Sequence, residues 1–138
     1  MPTTSDDCVF CKIIAGELPA RIVHEDERTV AFMDIAPATY GHTLVVPRNH
    51  SRDLLEIAPE DLDAVTRHGQ LLARRMNERL GADGVNLLNA CGAAAWQTVF
   101  HFHLHVIPRY NDDPLRLPWV PAMGDPDEIA TAAAQLIG

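Results

Sequence analysis

The stretch QTVFHFHLHVIPRY, residues 97–110, restricts the possible folds of this chain more than any other. Polar and apolar side chains alternate there, and a period of two belongs to an extended strand, not to a helix. Residues 98–108 are therefore expected to form a strand with two unlike faces. His101, His103 and His105 point one way, while Phe100, Phe102, Leu104 and Val106 point the other and need a core to cover them. Successive imidazoles would stand about 6.5–7 Å apart along such a strand.

A cover for the apolar face is legible upstream. In PEDLDAVTRHGQLLARRMNERLG, Leu62, Val65, Gly69, Leu72, Met76 and Leu80 follow helical spacing. Pro59 suits the first helical position, acids occupy the first turn, and Arg74, Arg75 and Arg79 sit near the end. Gly81 is a natural C-terminal cap. A brief helix in VFCKIIAGE ends near Gly16, and three β-rich runs follow at 20–25, 28–35 and 42–48. Their separators, Glu-Asp-Glu and Pro-Ala-Thr-Tyr-Gly, suit antiparallel connections. VNLLNA (85–90) supplies a fifth strand, and DPDEIATAAAQLI a terminal helix. The expected fold is α+β: a mainly antiparallel five-stranded sheet with one long helix, a short N-terminal helix and a C-terminal helix. Residues 1–7 are expected to be disordered, 8–110 to form the domain, and 111–138 to be a C-terminal extension.

Bulk properties exclude several functions. A formal charge of −8 disfavours non-specific binding to nucleic acid or acidic membranes. No apolar run approaches the roughly 18–20 residues of a membrane span. The start, MPTTSDDC, lacks the basic and apolar segments of a signal peptide, so a cytoplasmic location is expected. Three cysteines in such a chain argue against a disulfide framework.

Three readings of the histidine strand compete. It is a polar face rich in histidine, a metal site, or a centre for nucleophilic and acid–base chemistry on phosphorus. Gln97 and Thr98 precede it with groups able to bind phosphate oxygens, and His42 opens another strand directly after Gly41. These accessories favour phosphate chemistry.

The stretch HFHLHVI (101–107) fits the pattern His-φ-His-φ-His-φ-φ, with φ apolar, at every position. With CVFCKIIAGELPARIVHEDERTVAFMDIAPATYGHTLVVPRNH, it makes residues 8–110 resemble the histidine-triad (HIT) family of nucleotide hydrolases and transferases. FCKIIAGE looks like the Hint branch in particular. The resemblance implies that His103 attacks the α-phosphorus of a nucleotide and forms a nucleotidyl-imidazole, which water then hydrolyses. It implies that His105 orients and tunes the nucleophile and that His42 contacts phosphate. Asp34 matches the ribose-binding position, and Gln97, Thr98 and Asn89 match positions around the phosphate and leaving group. Val9, Phe10, Ile13, Phe32 and Ile35 match the apolar clamp on a purine base. Read from the residues alone, those five are core.

Two departures stand out. NACGAAAWQ (89–97) carries one extra residue between Asn89 and Gly92, and Trp96 replaces a glycine of the family pattern. Trp96 is bulky beside Gln97 and bears on substrate range.

Cys8 and Cys11 form a C-x-x-C pair, which suits a redox dithiol, half of a zinc site or buried thiols. The resemblance implies structural zinc, because His50 and His101 match histidines that join such a pair in zinc-bearing members. It requires no organic cofactor and no catalytic metal. Cys91 has no visible partner; His24 reads as exposed on a strand, and His68 as surface on the large helix. The resemblance further implies a homodimer acting on AMP conjugates, phosphoramidates above all. The alternatives are a Fhit-like diadenosine polyphosphate hydrolase and a zinc-stabilised nucleotide-binding module with little turnover. The resemblance implies a place for Trp119 at the neighbouring subunit's site; packing within its own domain is the alternative.

Overall fold

A computed structural model describes residues 3–138. The order is α1 (Val9–Ile14), β1 (Ile22–Glu25), β2 (Thr29–Met33), β3 (Thr43–Pro47), α2 (Pro59–Leu80), β4 (Gly84–Leu88), β5 (Leu104–Arg109) and α3 (Pro126–Leu136). The strands form one sheet in the order β1-β2-β3-β5-β4, every neighbouring pair antiparallel. This is the expected α+β architecture.

Both sheet faces are covered, which explains why β3 is buried at all five positions. Ala31, Val45, Leu104 and Val106 pack under Val65, Leu72 and Met76 of α2. Val30, Phe32, Leu44 and Val46 pack on the opposite face against Phe10, Cys8 and Cys11 of the α1 region. The helix α2 has Pro59 at its start and ends at Gly81, whose left-handed backbone (φ 68°) returns its N–H to the Met76 carbonyl. Gly69 lets α2 approach β5, since a Cβ there would lie 2.9 Å from a Leu104 methyl carbon.

The histidine strand is shorter than its alternation predicts. Regular pairing begins at Leu104, and the Phe102 N–H donates instead to the Ser51 carbonyl at 2.7 Å. Phe102, Leu104 and Val106 reach the core as expected, but Phe100 is 45% exposed. A side chain ahead of the ladder is not bound by the ladder's alternation. Of the N-terminal stretch expected to be disordered, Met1 and Pro2 lie outside the described residues. Thr3 exchanges backbone and side-chain hydrogen bonds with Asn49 and His50. Beyond Leu115, the tail and α3 are exposed throughout, Trp119 included.

Candidate active site

On the α1 side of the sheet, a cleft of about 530 Å³ opens between α1, the β2–β3 connection and the approach to β5. His103 and His105 form its inner wall with Thr98 and Asp34, and Val9, Phe10, Ile13, Phe32 and Ile35 line its apolar part. The five residues expected to clamp a base thus share one cavity. They are not equally fixed: Phe10 and Phe32 are buried and packed edge to face at 5.4 Å, whereas Ile35 is 99% exposed at the lip. Leu18, Pro19, Ala20, Met33, Leu44 and Val99 also line the cleft. Leu18, Pro19 and Ala20 escape sequence reading because the α1–β1 loop has no periodicity to aim its side chains.

The hydrogen bonds around the histidines assign their protons. The Nδ1–H of His103 donates to the His101 carbonyl at 2.8 Å, leaving the Nε2 lone pair free. The Ala38 N–H donates to His42 Nδ1 at 2.9 Å, so a neutral His42 carries its proton on Nε2. That Nε2 donates to His105 Nδ1 at 2.9 Å, which puts the His105 proton on Nε2. Asp34 lies 3.5 Å from His42 Nε2 and accepts from the Ala36 N–H at 2.8 Å. Burial lowers all three imidazoles. His105 falls to about 4, through burial first and then the neighbouring His103 and His42. His42 and His103 are also lowered by burial, against the opposing charge of Asp34 and, at His103, the His101 carbonyl as well. The result is a neutral nucleophilic nitrogen with a neutral N–H donor on the adjacent ring, the two rings 4.9 Å apart.

Gly41 fixes where His42 enters. Its φ is 94°, and a Cβ would meet a Leu80 methyl carbon at 2.5 Å and Pro108 at 3.2 Å. Gly41→Ala is therefore expected to cost about 1–3 kcal/mol from backbone strain alone. Chemical denaturation would detect the loss.

Two expected phosphate ligands are otherwise engaged. Gln97 is buried; its amide N–H groups donate to the Arg52 and Val99 carbonyls, and its oxygen accepts from the Gly92 N–H. It ties Gly92 to Arg52 and Val99 instead of pointing into the cleft. The same turn holds Trp96 in a left-handed conformation (φ 77°), with 64% of its surface exposed. Asn89 donates to the His103 carbonyl at 2.9 Å, so it holds the nucleophile's backbone; its own Oδ1 is buried without a partner.

The Cys-x-x-C pair meets His50 and His101 beside the cleft. Cys8 Sγ lies 3.4 Å from His101 Nδ1, Cys11 Sγ 3.4 Å from His50 Nδ1 and 3.6 Å from His101 Nδ1, and the two Nδ1 atoms are 3.2 Å apart. Ligands of a tetrahedral zinc stand about 3.3–3.8 Å apart. The His101 Nε2–H is tied to the Pro47 carbonyl at 2.9 Å, which directs the other nitrogen's lone pair at the cluster. The four donors fit zinc in identity, spacing and tautomer. They would join the α1 region, the loop after β3 and the segment before β5, stabilising the wall of the cleft without entering it.

The HIT domain family model matches residues 15–112. Among solved structures, SMU.412c from Streptococcus mutans is 38% identical with a TM-score of 0.91, covering 99% of this chain and 87% of that one. A zinc-bound histidine triad family protein from Mycobacterium smegmatis is 44% identical with a TM-score of 0.77, over 94% of this chain and 95% of that one. Adenylylsulfatase HINT3 of Arabidopsis thaliana is 40% identical over 111 residues, 80% of this chain and 56% of that protein.

Proposed function

This chain belongs to the HIT family, on its Hint-like branch, and we propose from that premise that it hydrolyses AMP conjugates through a covalent nucleotidyl-histidine. The family and its relatives support a nucleotide hydrolase or transferase in general. The observation that carries the finer reading is the His103 tautomer, with Nδ1–H held by the His101 carbonyl and Nε2 left free.

The substrate's purine would lie between Phe10, Phe32, Val9, Ile13 and Ile35, and its ribose hydroxyls would donate to Asp34. The His103 Nε2 lone pair forms a bond to the α-phosphorus as the P–N or P–O bond to the leaving group breaks. The leaving atom takes the proton from His105 Nε2, and His42 holds the far side of that ring. Water then attacks the same phosphorus, returns a proton to His105 and releases AMP, freeing His103. Thr98 offers a hydroxyl on the phosphate side of the cleft. Gln97 and Asn89 contribute by holding the surrounding loop and the His103 backbone.

A structural zinc on Cys8, Cys11, His50 and His101 completes this reading, and reduced thiols of this kind suit a cytoplasmic setting. A homodimer is expected as well, because β4 is an edge strand with Leu87 and Leu88 exposed.

The decisive assay compares release of AMP from an adenosine 5′-phosphoramidate and from a diadenosine polyphosphate. Faster turnover of the phosphoramidate is expected; preference for the dinucleotide would transfer the chain to the Fhit-like reading. AMP binding with no turnover of either would make it a binding module.

The acid limb provides a second check. His105 is held neutral down to about 4, so kcat/KM should not fall around the ordinary imidazole value of about 6.5. Stability carries the matching sign. Between about 6.5 and about 4 the unfolded chain binds a proton that folded His105 refuses, so stability falls as pH drops through that window. Urea midpoints measured from pH 7 to pH 4 would reveal a missing slope.

A further inference from the structure

A second constellation of metal-binding side chains lies on the opposite face of the sheet, under α2. His24 on β1 is paired across the sheet with Ala31, whose side chain belongs to the α2 core. Asp26 occupies the β1–β2 turn, and His68 reaches down from α2. Their donor atoms all lie within 4.8 Å of one another. The His24 and His68 rings are 4.6 Å apart, and His68 Nε2 is 3.1 Å from Asp26 Oδ2.

His68 is steadied by its own helix: its Nδ1 lies 3.0 Å from the Ala64 carbonyl, which leaves Nε2 toward the Asp26 carboxylate. Thr29 Oγ1 steadies both partners, at 2.8 Å from His68 Nδ1 and 3.2 Å from Asp26 Oδ1.

We propose that His24, Asp26 and His68 form a second divalent-metal site, taking Zn²⁺ or a similar imidazole-seeking ion. Two imidazoles and a carboxylate are ligands of this class, and three protein donors leave a position for water. Such a site is open and exchangeable, unlike the closed Cys₂His₂ set. Tetrahedral zinc holds nitrogen and oxygen ligands about 3.3 Å apart, closer than the 4.8 Å within which these three donors lie, so binding would draw them together. The ion would pin the edge strand to α2 and leave the catalytic face untouched.

The test is equilibrium dialysis of the full chain against micromolar free Zn²⁺, followed by metal analysis. Wild type is expected to retain one ion more per chain than His24→Gln/His68→Gln. His24→Gln alone, on the exposed edge strand, gives the same comparison should the double variant fail to fold. A His105→Gln control should keep the extra ion, because Asp34, His42 and His105 also stand close enough to hold a metal. Equal metal content in wild type and the His24 variants overturns the proposal. So does loss of the extra ion with His105→Gln and not with His24→Gln.

Discussion

Replacing His103 with alanine is expected to lower turnover of an adenosine phosphoramidate on the order of 10⁴-fold or more, the scale seen when a covalent nucleophile is removed. The loss should fall on kcat. His103 is buried, but its ring packs against Phe10 at 5.1 Å and its contact with the His101 carbonyl is local, so the fold should survive. AMP should still bind, because Phe10, Phe32 and Asp34 remain. His105→Asn removes a proton donor while sparing the nucleophile, and a smaller loss of about 10²–10⁴-fold is expected. Quenched-flow assays should trap a nucleotidyl-enzyme with wild type and none with His103→Ala. Unchanged turnover in the alanine variant would end the covalent reading.

Stripping metal with a strong chelator, or replacing Cys11 with serine, is expected to destabilise the fold by about 4 kcal/mol, as for a ligand present at a thousand times its dissociation constant. In a domain of this size that lowers the melting temperature by about 10 °C or more. The cause is the topology of the four donors, which come from segments far apart in the chain. Burial raises the Cys11 thiol, against an opposing backbone contact at Ser5, so the metal-free cysteine keeps its proton. Metal binding then expels protons, and chelation should grow easier as pH falls. Calorimetry of wild type and Cys11→Ser, each with and without chelator, separates the effects. The variant should melt early and lose less to the chelator than wild type does. Identical melting of metal-replete and stripped wild type would remove the structural role.

Elements whose periodicity extends over many residues were legible before any coordinates. The helix α2 follows from its apolar stripe, from Pro59 and from Gly81, and the five strands from β-rich runs broken by turn residues. The histidine strand is shorter than its alternation suggests, because the pattern continues through 98–103 while pairing there yields to the Ser51 carbonyl. Among the residues expected at the site, His42, His103, His105 and Asp34 converge. Gln97 does not face the cleft, because backbone groups of a loop with an unusual spacing claim its amide. No sequence rule counts those groups. His24 and His68 looked unremarkable for a related reason: each is isolated in its own element, and only the crossing of α2 over the sheet edge brings them together.

His101 belongs to two structures at once. Its ring joins the Cys₂His₂ cluster, and its carbonyl holds the proton of His103 in place. The scaffold and the reagent therefore share a single residue, with no intervening chain to absorb a disturbance. On the proposed mechanism, damage to the cluster would be felt directly as misalignment of the reacting nitrogen. The chain would then pass through a form that is folded but catalytically silent. Counting folded molecules would overestimate working ones wherever metal is scarce.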